Sequence, residues 1–233
     1  MERLKLRKIV LRLEKLYGKP KPPPSKDPWL LILRENVAYL ADDARREAAF
    51  NLLRTSVGTK PDEILAASDD ALHAVASHGI LAETFMEKLR RCARIAVEKF
   101  GESHGDLKPV LKWPVAKAKK ALSQFPGIGE PGAEKILLFG RAMPLLALDS
   151  NGLRVLVRLG FASEQKSYST TYRLVRQALE PELAAAGDDF DFLIAAHQLL
   201  RRHGQELCKR SRPLCDQCPL RSDCPEGRRA TSR

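Results

Sequence analysis

Phe125-Pro126-Gly127-Ile128-Gly129-Glu130-Pro131-Gly132 is the stretch on which the fold turns. It separates a helical pattern that opens at Trp113-Pro114 and ends near Gln124 from another over roughly Ala133–Gly140. Two glycines around one apolar residue allow a tight turn and leave the backbone N–H groups unobstructed. Ile128 then plugs the turn into the core. Amides at the start of the following helix, helped by the helix dipole, suit a phosphate oxygen. An isolated Gly-x-Gly is also a common helix–helix turn, so its surroundings must decide.

Those surroundings are helical. Ile9, Val10, Leu13 and Leu16 form an apolar stripe that stops at Gly18 and the run Pro20 to Pro24, which reads as an extended connector. A second helix starts near Pro28, with Trp29, Ile32 and Leu33 on its apolar face. Ser68-Asp69-Asp70 marks a helix start and Gly79 a stop. Another helix spans about Ala82 to Gly101, with Leu89, Ile95 and Val97 inward. Others cover roughly Ser150–Leu159, Ser169–Leu179 and Asp189–Gly204. No segment shows sustained period-two alternation with β-branched enrichment, so the expected class is all-α.

The chain has 233 residues, 44% hydrophobic and 30% charged, enough for one large or two modest domains and unlike a disordered chain. No apolar run approaches the roughly 20 residues that cross a bilayer. The N-terminal sequence shows no small-residue cleavage site, so an intracellular protein is expected. A formal net charge of +11 favours nucleic acid as partner. A membrane surface is disfavoured, because no basic helix carries aromatic anchors.

Four of the five cysteines cluster as Cys208-x6-Cys215-x2-Cys218-x5-Cys224, while Cys92 sits alone in an amphipathic helix as a small core residue. In an intracellular chain such clustering points to a metal site before disulfides. Four thiolates suit zinc or an iron–sulfur cluster. Only Cys215 and Cys218 form a close pair, and the wrap is one compact loop, so the spacing favours iron–sulfur over zinc. Lys209, Arg210 and Arg212 would be pinned by ligation as a phosphate-contacting knob, or else form a solvated basic loop. Asp149, in Leu148-Asp149-Ser150-Asn151-Gly152, reads as a helix N-cap that also projects a carboxylate from a rigid element.

In combination these residues resemble the helix-hairpin-helix DNA glycosylases, the superfamily of endonuclease III and the mismatch adenine glycosylase. The Pro-Gly-x-Gly hairpin, an aspartate eighteen residues past Pro131 and the cysteine loop carry the resemblance, with a smaller match at His203-Gly204. It spans about Pro28 to Cys224. The resemblance implies two helical domains with a DNA-binding cleft between them. One is a six-helix barrel over 28–143 containing the hairpin. The other is an iron–sulfur domain made of 1–27 and 144–233. It further implies a [4Fe–4S] cluster on Cys208, Cys215, Cys218 and Cys224, and DNA contacts from Gly127, Ile128, Gly129 and Gly132. Asp149 falls on the family's essential aspartate.

The departures shape the expected activity. Bifunctional members carry a lysine nucleophile where this chain has Pro131, which has no amine to form a Schiff base. Lys135 lies one turn further and is a poor substitute. The implied chemistry is monofunctional base removal from double-stranded DNA bearing a lesion or mismatch. The family's gap-filling glutamine matches Leu40, an apolar wedge. Glu35 matches the carboxylate that protonates the leaving base in adenine-acting relatives, though it also reads as an exposed helical residue. Tyr39 is a candidate for the pocket of the extruded base. The protein is expected to be monomeric. The competing reading is a non-catalytic iron–sulfur DNA-binding protein that keeps the fold.

Overall fold

The computed structural model describes residues 3–101, 105–187 and 189–229. Among these it is helical throughout, with no strand and one isolated antiparallel bridge, Tyr39 to Ile80. The chain divides into two compact units, Pro23–Met143 on one hand and Met1–Pro22 with Pro144–Arg233 on the other.

Helix α1 (Leu6–Tyr17) belongs to the discontinuous unit. Leu6, Ile9, Val10 and Leu13 are its buried stripe. Leu16, expected on that stripe, is exposed.

The continuous unit holds α2 (Pro28–Asn36), α3 (Asp43–Ser56), α4 (Pro61–Ala66), α5 (Asp69–Ala76), α6 (Ala82–Phe100), α7 (Val115–Leu122) and α8 (Glu130–Phe139). Local chemistry sets several starts. The Asp27 carboxylate accepts the Trp29 N–H at 2.9 Å while Pro28 fills the first helical position. Ser68 caps α5. On α6 the buried face is Phe85, Met86, Leu89, Cys92, Ala93 and Ala96, at spacings of three and four. Val97 lies one step around the helix from Ala96 and is exposed, not inward as its hydrophobicity suggests.

The discontinuous unit continues with α9 (Ser150–Arg158), α10 (Tyr168–Ala186), α11 (Phe190–Glu206) and the short α12 (Pro225–Arg229). Helix α10 runs on through Pro181, although the sequence suggests an end near Leu179. Proline costs one intrahelical hydrogen bond. The next residue, Glu182, compensates by accepting the Leu6 N–H at 2.5 Å and pairing with Arg3 at 2.9 Å, which ties the last turn of α10 to α1.

The packing that positions the site is α9 against α11. Leu153, Val155 and Leu156 are buried on one helix, Ala196, Leu199 and Leu200 on the other. Near the end of α11 the helices nearly touch: a Cβ on Gly204 would stand 2.6 Å from the Asn151 carbonyl oxygen and 2.7 Å from its Cβ. That approach admits only glycine. Gly204→Ala is therefore expected to destabilise the protein by about 1–3 kcal/mol through overpacking, read as a lower urea midpoint with unchanged slope.

Candidate active site and cysteine centre

The hairpin is held from α2. Phe125 and Ile128 are buried, and the Ile128 N–H donates to the Phe125 carbonyl at 3.1 Å. Gly127 has φ +75°, the left-handed region that favours glycine. Beside it lies Asn36, 0% exposed. Its Nδ2 donates to the Ile32 carbonyl at 3.0 Å and the Pro126 carbonyl at 2.9 Å, so one amide clamps the turn to α2. Gly129 caps α8 with extended backbone. Pro131, at the second helical position, removes one of the amides a first turn would offer to an anion. Glu130 pairs with Lys119 at 2.5 Å, and Lys119 also holds the buried Glu134 at 2.8 Å. Burial alone would lower the Lys119 ammonium, but the two carboxylates outweigh it and raise it.

The bridge sets up an apolar point. The Ile80 N–H donates to the Tyr39 carbonyl at 3.0 Å, and Gly79 lies so close that a Cβ would stand 2.3 Å from the Tyr39 nitrogen. Leu40, φ +51°, and Leu81, φ +58°, follow the two bridge partners; both are left-handed although neither is glycine. Leu40 is 71% exposed and Leu81 57%, with Ile80 also exposed. Strained, solvent-facing leucines have no folding rationale of their own. Tyr39 does not stand free: its ring stacks on Phe85 at 4.8 Å and 13°, with the Lys88 ammonium 4.0 Å over Phe85.

Glu35 is engaged by cations. Lys135 Nζ on α8 donates to Oε1 at 2.5 Å, and Arg46 lies 4.0 Å from Oε2. A carboxylate so placed accepts hydrogen bonds and orients Lys135.

Asp149 stands at the N-terminus of α9. Oδ1 accepts the Gly152 N–H at 2.7 Å, which completes the cap. Oδ2 accepts from Asn151 Nδ2 at 3.0 Å and lies 3.6 Å from Arg201 Nε. From Asn151 the network continues: Arg154 Nη2 donates to Asn151 Oδ1 at 2.9 Å and to the Gly204 carbonyl at 2.7 Å, while Nε donates to the Cys208 carbonyl at 3.0 Å. One guanidinium thus joins the aspartate cap, the end of α11 and the entry to the cysteine loop.

Cys208, Cys215, Cys218 and Cys224 line one cavity together with Arg158 and Leu207. Among the described residues no group of three His, Cys, Asp or Glu side chains is arranged to hold a single metal ion. N–H donors nevertheless aim at the sulfurs. Arg158 Nη1 lies 3.3 Å from Cys208 Sγ, and the Leu220 amide reaches Cys218. The Glu226 and Gly227 amides reach Cys224. Burial pushes the Cys218 thiol up to about 11 and raises Cys215 and Cys224 as well. Ligation by these sulfurs would therefore release protons.

His203 Nε2 lies 3.4 Å from Cys218 Sγ and Nδ1 3.0 Å from the Tyr17 hydroxyl. Burial holds the imidazole neutral, pulled down to about 4, and pushes Tyr17 up to about 12. The tautomer that serves both contacts has Tyr17 donating to Nδ1 and Nε2–H donating to the sulfur. Lys209, Arg210 and Arg212 are exposed. Their loop is pinned by Arg158, whose Nη1 and Nη2 donate to the Lys209 and Arg210 carbonyls at 2.8 and 2.9 Å.

No family model matches the chain. Whole-length relatives do. Endonuclease III of Rickettsia conorii is 27% identical over 93% of this chain and 95% of its own length. Thymine-DNA glycosylase of Aeropyrum pernix is 25% identical over 94% and 92%. A solved non-covalent endonuclease III–DNA complex superposes with a TM-score of 0.74 at 19% identity, covering 99% of this chain and all of that one. The chain belongs to the helix-hairpin-helix DNA glycosylase superfamily.

Within this superfamily member, Asp149, the four cysteines and the basic loop residues lie in the discontinuous unit. Glu35, Tyr39, Leu40 and the hairpin glycines lie in the continuous one. Sequence reasoning missed Asn36, Leu81, Arg154, Arg158 and Arg201. Leu81 had a usable signal, an Ile80-Leu81 pair directly after the predicted stop at Gly79. The arginines had none, since their partners are roughly fifty residues away in sequence. Arg154→Ala leaves two carbonyls and the Asn151 amide oxygen without their donor, at an expected cost of about 2–3 kcal/mol in chemical denaturation. Arg154→Lys should recover less than half of that, because an ammonium cannot reproduce the fork.

Proposed function

We propose that this protein is a monofunctional DNA glycosylase: it flips a damaged or mismatched base out of duplex DNA and hydrolyses the N-glycosidic bond. The observation that carries the reading is the Asp149 carboxylate, capped, hydrogen-bonded and partly exposed at the head of α9 in a fold shared with whole-length glycosylase relatives. Loss of the base builds positive charge on the sugar and negative charge on the leaving group. A fixed carboxylate stabilises the first and orients the water that attacks the anomeric carbon. Oδ2 is the oxygen assigned to this task, because Oδ1 is spent on the helix cap.

The amides of Gly127 and Gly129, with Gly132, are assigned to a backbone phosphate, while the Ile128 N–H is spent on the Phe125 carbonyl. Leu40 is assigned to the gap left by the extruded nucleotide, and Leu81 joins it as a second apolar wedge. Wedges between base steps unstack them, and the left-handed backbone at both leucines is the strain that keeps them presented. Tyr39 is assigned to the wall of the base pocket, its ring fixed by Phe85. Glu35 is assigned to the same neighbourhood through the base side of the reaction. The Lys135 ion pair makes it a group that accepts and orients, so departure of the base relies on Asp149 more than on acid catalysis from Glu35.

The four cysteines are assigned as ligands of a [4Fe–4S] cluster. Their shared cavity and the N–H donors directed at the sulfurs support this. When bound, the cluster would cross-link residues 208–224 and so fix the basic loop; the base-release step uses none of it. Purified protein is expected to show broad visible absorbance and about four irons per chain. Stoichiometric zinc in their place overturns the assignment.

Asp149→Asn is the decisive variant, because asparagine caps a helix as well as aspartate does, so the helix start is kept while the charge and the Oδ2 acceptor are lost. It should retain binding to lesion duplexes and lose base release by at least about a thousandfold. Wild-type activity in the variant sinks the role given to Asp149. Pro131 offers no amine and Lys135 is paired with Glu35, so borohydride should trap no protein–DNA adduct. If a panel of lesions and opposite bases yields no free base, the non-catalytic DNA-binding reading replaces this one.

A further inference from the structure

Beside Asp149 runs a groove of about 550 Å³ that none of the roles above uses. It lies wholly within the discontinuous unit. Ser150, the residue after the aspartate, and Arg210 of the basic loop both line it. Its volume is in the range that small ligands occupy.

The groove is basic. Arg154, Arg158, Lys166 and Arg210 line it against a single carboxylate, Glu164. Apart from the Asn151 oxygen and the Cys208 sulfur, the acceptors of Arg154 and Arg158 are backbone carbonyls. The carbonyl and amide oxygens carry no net charge, so they fix the guanidinium groups without cancelling their charge; only the Cys208 sulfur, as a cluster ligand, would offset part of the charge at Arg158. Lys166 and Arg210 are exposed, and neither meets an acidic partner among the described residues.

An aromatic ring stands in the same groove. Tyr168, the first residue of α10, is 46% exposed. It is not loose: its ring stacks on the buried Tyr172 at 6.2 Å and 24°. Burial around the hydroxyl, with the Asp149 carboxylate as second cause, pushes it up to about 12, so it is neutral and near the aspartate. A held ring in a cationic groove is the arrangement by which proteins take an unpaired or unstacked nucleotide, base on ring and phosphate on cation.

We propose that this groove binds one nucleotide of the bound DNA, adjacent to the nucleotide attacked, with its base on Tyr168 and its phosphates at Lys166 and Arg210. The inference rests on the glycosylase reading and adds to it a flanking subsite. It makes Tyr168 a positioning residue: gripping the neighbour fixes the strand on which the target sugar must meet Asp149.

The test uses the full protein and a duplex containing a tetrahydrofuran abasic analogue, with 2-aminopurine placed in turn at each position beside it. Binding should quench the fluorophore strongly at one flanking position. Tyr168→Leu should restore fluorescence at that position alone and weaken binding about tenfold, whereas Tyr168→Phe should keep the quenching. Lys166→Ala with Arg210→Ala should lower the slope of log affinity against log salt by about two. If the duplex binds but quenching is indifferent to Tyr168→Leu, the subsite is overturned and the glycosylase reading stands. If no lesion duplex binds, both fall together. A free nucleotide is the competing source of the same chemistry. Millimolar dAMP should not compete, and Tyr168-dependent dAMP binding at micromolar concentration overturns the assignment to DNA.

Discussion

The guanidinium of Arg154 is the constraint on which the discontinuous unit depends. It sits one turn into α9 and satisfies carbonyls at Gly204 and Cys208 while holding Asn151, which in turn holds Asp149. Main-chain carbonyls at the end of a helix lack intrahelical partners and must find donors elsewhere. Here the donor comes from a second helix, so the end of α11, the start of the cysteine loop and the aspartate cap share one rigid junction. Gly204 makes the junction possible, because any side chain there would strike Asn151. Arg158, one turn later on α9, repeats the device with the carbonyls of Lys209 and Arg210. A loop that carries the four cysteines is in this way registered against the Asp149 cap.

A different solution operates in the continuous unit. There a buried amide, Asn36, does for the hairpin what Arg154 does for the loop, reaching from α2 to the Pro126 carbonyl. The uncharged side chain suits its position, since Asn36 is fully buried and an unpaired charge there would cost several kcal/mol, about what breaking a buried ion pair costs. The same helix carries Glu35 to Lys135, so α2 and α8 are joined on both sides of the turn. Hairpin geometry and the neighbouring carboxylate are therefore not independent. Removing Lys135 changes the environment of Glu35, and moving α2 moves the hairpin.

Much of this was legible in the chain before any coordinates. Gly127 and Gly129 around Ile128, Asp149 before an apolar-basic run, and four cysteines in one short loop are local patterns, and local patterns survive in a single sequence. Helix starts set by Ser68 and Asp149 were legible for the same reason, because a cap acts within three residues. Pro181 misled, since the cost of a proline in a helix is local but its compensation, Glu182 bound to Arg3 and Leu6, is not. Arg154 and Arg158 look like ordinary surface charges until the carbonyls fifty residues on are placed beside them. Leu81 and the stacking of Tyr39 on Phe85 required the bridge between Tyr39 and Ile80, a pairing no periodicity announces.

The charge of the chain takes on a more specific meaning from these placements. A net charge of +11 predicts attraction to polyanions and nothing about where they lie. The structure divides the basic residues by what they face. Lys119, Lys135 and Arg34 are spent on carboxylates, whereas Arg158 spends its fork almost entirely on carbonyls and Arg154 on neutral oxygens. Cations of the first kind are neutralised in the folded protein. Those of the second kind keep their charge for an anion, although burial desolvates Arg154 and pulls it below its usual value. They cluster between Ser150 and Arg210, on the side of α9 that leads away from Asp149 toward the cysteine loop. On the proposed reading, positive charge held beside Asp149 by uncharged acceptors would attract a phosphodiester without neutralising that carboxylate. On that reading this separation, more than the total charge, would let one short helix serve binding at one end and chemistry at the other.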